Sequence, residues 1–289
     1  MHIVKGDQRF PFSEGILAKS LSRAGLPHDE VYELAREIHR DLDEEDVLEQ
    51  GELAKMVSRY LLERGYERAE RYYRVINRIR YLETPMVVLI GGGTGVGKSS
   101  IASEVAHRLG ITRSIGSDGI REIMRFMMPR ELMPVLHESS FAASRHVKDS
   151  LIKDTLIYTY SQQVSLVAAG VMSFIRRGIR EGLHTVIDGI HLVPGFLDID
   201  TEEPSCYLFH YVLHLEDKDR HIQHIYFRSE GSLRNPERYV NQIENIRRIQ
   251  EFIVESAESK GVRVIENEDF DGTVQTILDD IIMRLEHEV

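Results

Sequence analysis

The chain has 289 residues and a formal net charge of -11, with 36 Lys and Arg against 47 Asp and Glu. Its 42% hydrophobic and 29% charged residues are typical of a soluble globular protein and exclude a mainly disordered, collagen-like or membrane-embedded chain. The length predicts two domains or one large one. Because an acidic chain repels nucleic-acid phosphates, we expect small anions as ligands, bound in a locally positive pocket, and no nucleic acid.

The single cysteine, Cys206, can form neither an internal disulfide nor a cysteine-rich zinc site. The opening residues lack the apolar run of a signal peptide. The longest nearly uncharged apolar stretch, residues 164–175, is far shorter than the roughly 20 residues that span a bilayer. We therefore expect a cytoplasmic protein that is not embedded in a membrane. The oligomeric state stays open, and a homo-oligomer is compatible with the sequence.

Residues 1–84 are predicted to be mainly helical after a short strand-like opening. Apolar residues recur at helical spacing, and a Gly-Leu-Pro-His break at residues 25–28 separates the first two helices. At residues 86–90 the pattern changes to an apolar run rich in β-branched residues, bounded by proline and three glycines. Such a run predicts a buried parallel strand.

Later apolar runs at residues 185–187, 207–215 and 262–265 alternate with helical stretches. Strands that alternate with helices predict a parallel sheet with helices on its faces. We place a domain boundary near residue 84, which gives a helical domain over residues 1–84 and an α/β domain over residues 85–289.

The loop after the strand at residues 86–90 matches the phosphate-binding motif G-x-x-x-x-G-K-[ST], between a strand and a helix as the motif requires. Its backbone amides and the helix N-terminus are predicted to hold ATP, with an accidental glycine-rich turn as the less favoured alternative. Lys98 would reach the β- and γ-phosphates, and Ser99 would ligate Mg²⁺. The predicted nucleotide-binding residues are Gly92, Gly93, Thr94, Gly95, Val96, Gly97, Lys98, Ser99 and Ser100.

Two aspartates are candidates for the chemistry. Asp188 ends an apolar strand, where a Walker-B-like acid holds Mg²⁺, and it could instead accept the proton of an attacking hydroxyl. Asp118 follows the segment at residues 112–115 and is predicted to face the acceptor. The alternatives are a turn cap for Asp188 and a helix cap for Asp118. The sequence does not decide which of the two is the base.

Arginines after Asp118 are candidates for binding an anionic acceptor, because a guanidinium pairs two oxygens of a carboxylate or phosphate. Arg121 and Arg125 share one helix face, and Arg145 lies on a later helical stretch. For each of them, a solvated surface charge is the alternative.

Residues 216–228 are predicted to close over the nucleotide as a lid. Arg220 or Arg228 would then reach the transferring phosphoryl group, unless they pair with the adjacent acids instead. His191 follows Asp188 in a Pro/Gly loop at the carboxyl end of a strand, where ligands bind in open α/β sheets. It is either a substrate-binding residue or a structural histidine. No H-E-x-x-H or G-x-S-x-G spacing occurs, which disfavours zinc and serine hydrolysis.

Residues 91–100, 117–122, 186–195 and 220–228 together resemble the 2-phosphoglycerate kinase family. The resemblance implies a nucleoside-monophosphate-kinase-like P-loop fold, with a parallel sheet flanked by helices. It also implies transfer of the ATP γ-phosphoryl group to the 3-hydroxyl of 2-phosphoglycerate, the favoured acceptor, which gives 2,3-bisphosphoglycerate for the cyclic 2,3-diphosphoglycerate pathway. Another small polyol, sugar or acid acceptor and an ATP-sensing regulatory NTPase stay open as alternatives.

The domain over residues 1–84 resembles an ATP-cone, a small helical nucleotide-sensing module. Residues 3–12 are similar to its opening hairpin, and Tyr72, Tyr73 and Arg74 are similar to its closing helix. The resemblance makes Lys5 and Arg9 candidates for phosphate contacts. A structural cap and a dimerisation element are the alternatives.

A row of five arginines recurs at spacings of three and four residues between residues 64 and 78, mostly on the last predicted helix of this domain. Glutamates interleave with the row, which favours a salt-bridged solvated face over a polyanion site. The arginines are Arg64, Arg68, Arg71, Arg74 and Arg78, and the glutamates are Glu63, Glu67 and Glu70.

Overall fold

The computed structural model describes residues 2–5, 7–42, 47–79, 81–142, 153–199, 206–230 and 235–287. The chain forms two compact units. The first takes Met1–Leu82, His107–Gly110 and Asp279–Val289, and the second takes Glu83–Ala106 and Ile111–Leu278. Within the described residues, no helix combines the length and the apolar character that crossing a bilayer requires.

The first unit combines a small sheet with helices. Its elements up to Leu82 are β1 (His2–Lys5), β2 (Gln8–Pro11), α1 (Glu14–Arg23), α2 (His28–Arg40), β3 (Val47–Glu49), α3 (Gln50–Glu63) and α4 (Glu67–Ile79). Strand β1 pairs antiparallel with β2 and parallel with β3. The predicted helices and the opening strand are confirmed, whereas β3 escaped prediction because three residues carry no readable period.

The salt-bridged face predicted on α4 is present, but most of its partners differ from the interleaved glutamates. Only one interleaved glutamate, Glu70, pairs with an arginine of the row. The pairs are Arg64 with Glu37, Arg68 with Asp279, Arg71 with Glu286, and Arg74 with Glu70 and Glu286. Helical spacing reveals neighbours on one helix, and it cannot reveal acids that the fold brings from elsewhere in the chain.

The second unit is built on a parallel sheet. The elements that lie wholly or partly in it are β4 (Met86–Gly92), α5 (Lys98–Leu109), β5 (Ser114–Gly116), α6 (Ser117–Met127), α7 (Pro134–His137), α8 (Thr155–Arg180), β6 (Thr185–Asp188), β7 (Tyr207–His214), α9 (Lys218–Ser229), α10 (Glu237–Val240), α11 (Ile243–Ser259), β8 (Arg263–Glu266) and α12 (Phe270–Leu285).

The five strands have the order β5-β6-β4-β7-β8, and every neighbouring pair is parallel. The central strand β4 is buried along its whole length, as its apolar sequence predicts. Gly116 of β5 and Ile90 of β4 both lie opposite Asp188 of β6. The loops that follow these three strands therefore leave the sheet at the same edge, where ligands bind in open α/β folds.

Candidate active site

The loop between β4 and α5 has a backbone that only glycine tolerates at its key positions. Gly92, Gly95 and Gly97 have φ values of 138°, 90° and 86°, outside the range that other residues readily adopt. A Cβ atom at Gly92 would also lie 2.2 Å from the carbonyl oxygen of Leu213. The glycines thus allow both the turn and its close approach to the neighbouring strand.

A cavity of about 1190 Å³ lies against this loop at the carboxyl edge of the sheet. Lys98 and Ser99 form its wall on the loop side, and Asp118 and Arg121 of α6 form another part of the wall. Arg228 of α9 also lines the cavity. The cavity therefore combines the predicted nucleotide, acceptor and lid residues in one space with three cationic side chains.

Lys98 begins α5 and is only 9% exposed, with its ammonium group donating a hydrogen bond to the carbonyl of Gly93. Burial lowers the pKa of Lys98 to about 8; Asp188 and Asp118 oppose this shift, and Arg228 adds to it. An anionic oxygen beside the ammonium would offset the cost of its desolvation. The site is therefore suited to a phosphate group.

Asp188 and Ser99 form the metal side of the site. The Ser99 hydroxyl donates a 2.6 Å hydrogen bond to Oδ2 of Asp188, which is only 9% exposed. A hydroxyl and a carboxylate beside a phosphate loop are the hard oxygen ligands that Mg²⁺ takes in nucleotide sites. These residues therefore fit the predicted metal.

Asp118 and Arg121 lie in the first turns of α6, where the acceptor was predicted. The Asp118 side chain is 63% exposed, and its Oδ1 lies 3.9 Å from Nη2 of Arg121. Arg121 donates from Nη1 to the carbonyl of Glu138, and its buried Nε has no hydrogen-bond partner among the described residues. Arg121 thus presents a nearly buried cation to the cavity.

The other predicted acceptor arginines are placed differently. Arg125 pairs with Glu122 at 2.6 Å and is not part of the described cavity wall. Arg145 lies outside the described residues.

His191 lies behind the cavity wall, fully buried, rather than in contact with the cavity. Its Nδ1 lies 2.9 Å from the Ser117 hydroxyl and its Nε2 lies 3.3 Å from Oε1 of Gln163. The Gln163 amide nitrogen donates to the carbonyls of Val135 and Glu138, so Oε1 is its acceptor atom. Hence Nε2 of His191 carries the proton, and Nδ1 accepts from Ser117.

This arrangement keeps His191 neutral, because burial lowers its pKa to about 3, which Asp118 opposes and Arg121 and Lys98 reinforce. Ser117 in turn needs Gly189, since a Cβ atom at that position would lie 1.8 Å from the Ser117 hydroxyl. His191 therefore links the start of α6 to the core. Of the two predicted alternatives, this geometry favours the structural histidine over a direct substrate contact.

The two arginines of the predicted lid both lie on α9, but their side chains have different surroundings. Arg220 pairs with Glu268 at 3.3 Å and is not part of the described cavity wall, whereas Arg228 is. Between them, His221 and Ile225 are buried. One face of α9, with Gln223, His224, Phe227 and Arg228, lines the cavity.

Several residues of the site gave no sequence signal. Ser139, Ser140, Phe141 and Tyr239 line the cavity but match no motif. Asn267, just after β8, lines it as well. The end of a predicted strand could have marked Asn267, whereas nothing in the local pattern marks the others.

The first unit contains a separate cavity of about 1030 Å³. Its wall includes Tyr73 and Arg74, two residues on which the ATP-cone resemblance rests. Arg9 is not part of the described wall, and the side chain of Lys5 lies outside the described part of the chain.

A parallel sheet with a phosphate-loop motif after its central strand, and an aspartate at the end of the neighbouring strand β6, is the arrangement of a P-loop nucleotide-binding protein. No family model matches the chain. The chain is 41% identical to the 2-phosphoglycerate kinase of Thermococcus kodakarensis. The alignment spans 280 residues, which is 96% of this chain and 95% of that protein. The chain therefore belongs to the 2-phosphoglycerate kinase family.

Other relatives carry the same name. The chain is 40% identical to the 2-phosphoglycerate kinase of Methanopyrus kandleri, over 95% of this chain and 85% of that protein. It is 37% identical to the 2-phosphoglycerate kinase of Methanocaldococcus jannaschii, over 98% of this chain and 92% of that protein. Among solved structures, the chain is similar to shikimate kinase from Acinetobacter baumannii, with a TM-score of 0.42 and 14% identity, over 71% of this chain and 98% of that one. It is also similar to a gluconokinase from Sinorhizobium meliloti, with a TM-score of 0.41 and 14% identity, over 72% of this chain and 99% of that one.

Proposed function

We propose that this protein is an ATP- and Mg²⁺-dependent kinase that phosphorylates the 3-hydroxyl of 2-phosphoglycerate to give 2,3-bisphosphoglycerate. The observation that carries this proposal is a single cavity with the phosphate loop on one wall and Asp118 and Arg121 on another. The acceptor follows from the family, whose relatives named above align over nearly the whole chain.

Lys98 and the loop amides would bind the β- and γ-phosphates, since both the ammonium and inward-facing N–H groups stabilise negative oxygens. Ser99 and Asp188 would hold Mg²⁺, which when bound neutralises charge on the β- and γ-phosphate oxygens. Asp188 is engaged with Ser99 and almost buried. This engagement favours the metal role for Asp188 over the role of base.

Asp118 would then receive the acceptor hydroxyl. Its carboxylate is exposed to the cavity, and Arg121 beside it would pair with an anionic group of the acceptor. In the reaction the hydroxyl oxygen bonds to the γ-phosphorus while the bond to the bridging oxygen of ADP breaks. The hydroxyl proton passes to Asp118 and then to solvent.

Arg228 would act at the phosphoryl group in transfer, because it lines the cavity and lies close enough to lower the pKa of Lys98. Arg220 keeps its predicted role only if it leaves Glu268. Parallel Arg220→Ala and Arg228→Ala variants, compared by turnover number, separate the two arginines.

The test of the function is ADP release from ATP and Mg²⁺ across a panel of acceptors: 2-phosphoglycerate, 3-phosphoglycerate, glycerate, shikimate and gluconate. The proposal expects 2-phosphoglycerate to have the highest kcat/KM, with a product that carries two phosphates by mass spectrometry. A higher value for a neutral polyol would favour the alternative acceptor class. Release of ADP without any acceptor would favour a regulatory NTPase.

We further propose that the first unit is the ATP-cone-like domain that its sequence resembles and that it binds nucleotide. The supporting observation is its cavity, which brings Arg59, Arg78 and the aromatic ring of Tyr73 together. Calorimetry of the full chain with ATP should then report two sites, and Arg78→Glu should reduce this to one. A single site in the wild-type chain would contradict the proposal.

A further inference from the structure

Two side chains from outside the phosphate loop donate hydrogen bonds to its carbonyl groups. Nε2 of His221, on α9, lies 2.7 Å from the carbonyl oxygen of Thr94. Nδ2 of Asn267, after β8, donates to the carbonyl oxygen of Val96 at 2.9 Å. These donors come from positions 127 and 171 residues away in the chain.

The direction of these bonds bears on phosphate binding. The N–H and C=O groups of a peptide unit point in opposite directions, so amides that face a phosphate turn their carbonyls toward the protein. A carbonyl buried there needs a donor, since leaving it unpaired costs free energy. His221 and Asn267 supply such donors at two places in the loop.

The protonation of His221 follows from its partner. A carbonyl oxygen only accepts, so Nε2 of His221 carries the proton, and the buried Nδ1 has no partner among the described residues. Gly95 packs against the same helix, because a Cβ atom there would lie 2.8 Å from Cγ1 of Ile225. The face of α9 that carries His221 and Ile225 thus packs against the loop.

The position of Asn267 is fixed by contacts of its backbone and of its side chain. Its backbone N–H donates to the carbonyl of His214 at 2.9 Å, which ties it to the end of β7. A Cβ atom at Gly97 would lie 2.5 Å from its Nδ2. The side chain therefore fills the space that this glycine leaves.

We propose that His221 and Asn267 are positioning residues for the nucleotide: they hold the carbonyls of Thr94 and Val96 outward, which presets the loop amides to bind phosphate. The inference rests on the proposed kinase function. It assigns to α9 one face that supports the loop, in addition to the face that lines the cavity.

The experiment compares His221→Leu, His221→Gln and Asn267→Asp with the wild-type full chain. His210→Leu is the control, because His210 is a partly buried histidine that also lies 3.2 Å from a carbonyl oxygen, that of Leu192 outside the loop. For each variant, calorimetry measures the Kd of Mg·ADP and of 2-phosphoglycerate, kinetics give KM for ATP, and thermal unfolding gives Tm.

The proposal expects His221→Leu and Asn267→Asp to raise the Kd of Mg·ADP about tenfold, the cost of one lost hydrogen bond. The Kd of 2-phosphoglycerate should stay unchanged. His221→Gln should recover most of the affinity, because its amide can still donate. Asn267→Asp cannot donate, so it gives a second test if His221→Leu fails to fold.

The inference is overturned if folded His221→Leu and Asn267→Asp bind Mg·ADP as the wild type does, or if His210→Leu weakens nucleotide binding equally. Its failure is distinct from failure of the proposed function. A wild-type chain that binds Mg·ADP but does not phosphorylate 2-phosphoglycerate removes the function alone. If the wild type transfers phosphate and the variants bind nucleotide with unaltered affinity, the inference is wrong and the proposed function stands.

Discussion

The hydroxyl of Ser99 and the carboxylate of Asp188 are joined by a 2.6 Å hydrogen bond across 89 residues of sequence. The bond connects the first turn of α5 to the end of β6. Both groups therefore offer oxygen atoms to one point at the edge of the sheet, beside Lys98.

Asp188→Asn should weaken the binding of Mg²⁺ at this site without disrupting the fold. The amide oxygen can still accept from Ser99, but the negative charge that attracts the metal is lost. We expect half-maximal activity to need on the order of 10–100-fold more Mg²⁺. Initial rates over a Mg²⁺ titration measure this, and an unchanged midpoint would mean that Asp188 does not serve the metal.

Lys98→Ala should abolish phosphoryl transfer while the protein stays folded. The variant removes a cation from a buried position whose desolvation already lowers its pKa to about 8. We expect kcat to fall by at least about 100-fold, with a Tm close to that of the wild type. Near-normal turnover in a folded variant would rule out the proposed phosphate role.

Arg121→Ala should raise KM for the acceptor and leave KM for ATP nearly unchanged, because Arg121 lines the acceptor side of the cavity. A lost charge-assisted pair predicts an increase of roughly 10- to 100-fold. Arg125→Ala is the comparison on the same helix, since Arg125 pairs with Glu122 outside the cavity wall. An equal or larger effect of Arg125→Ala would reverse this assignment of the acceptor arginine.

Acid should destabilise the protein through its buried histidines. Burial lowers the pKa of His191 to about 3 and the pKa values of His210 and His221 to about 4, from 6.5. Between pH 6.5 and about 4 the unfolded chain therefore binds more protons than the folded chain, so the free energy of unfolding decreases as pH falls. Each histidine contributes up to about 1.4 kcal/mol per pH unit.

Urea unfolding at pH 7, 6 and 5 measures this slope. His210→Leu removes one of the three groups and should reduce the slope by up to that amount. A slope that matches the wild type would show that His210 does not titrate on unfolding.

Local sequence patterns predicted what is local in this structure. The apolar runs marked β4, β6, β7 and β8, and the glycine motif marked the phosphate loop. Strand β5 has only three residues, too few for a period, although the segment before Asp118 was recognised. The strand end indicated Asp188, and the structure places this residue in the cavity wall beside Ser99; its role in the reaction stays a prediction.

The remaining parts of the site depend on contacts that no spacing encodes. Arg220 and Arg228 lie on one helix, and only the folded structure shows that Arg228 lines the cavity whereas Arg220 pairs with Glu268. The position of His191 in a loop suggested a ligand contact, whereas its partner Gln163 lies on helix α8, 28 residues away in the chain. Such pairings arise only when the chain is folded.

The cationic cavity belongs to a chain whose net charge is -11. At low salt an approaching phosphate therefore meets long-range repulsion before it meets Lys98 and Arg121. At 0.1 M salt, charges farther away than the Debye length of about 10 Å are largely screened. Raising the ionic strength from a low value screens this repulsion and should speed the capture of both anionic substrates, up to the point at which the attraction of the cavity is screened as well. The acidic surface should therefore affect the association rate constants of the substrates more than their Kd values.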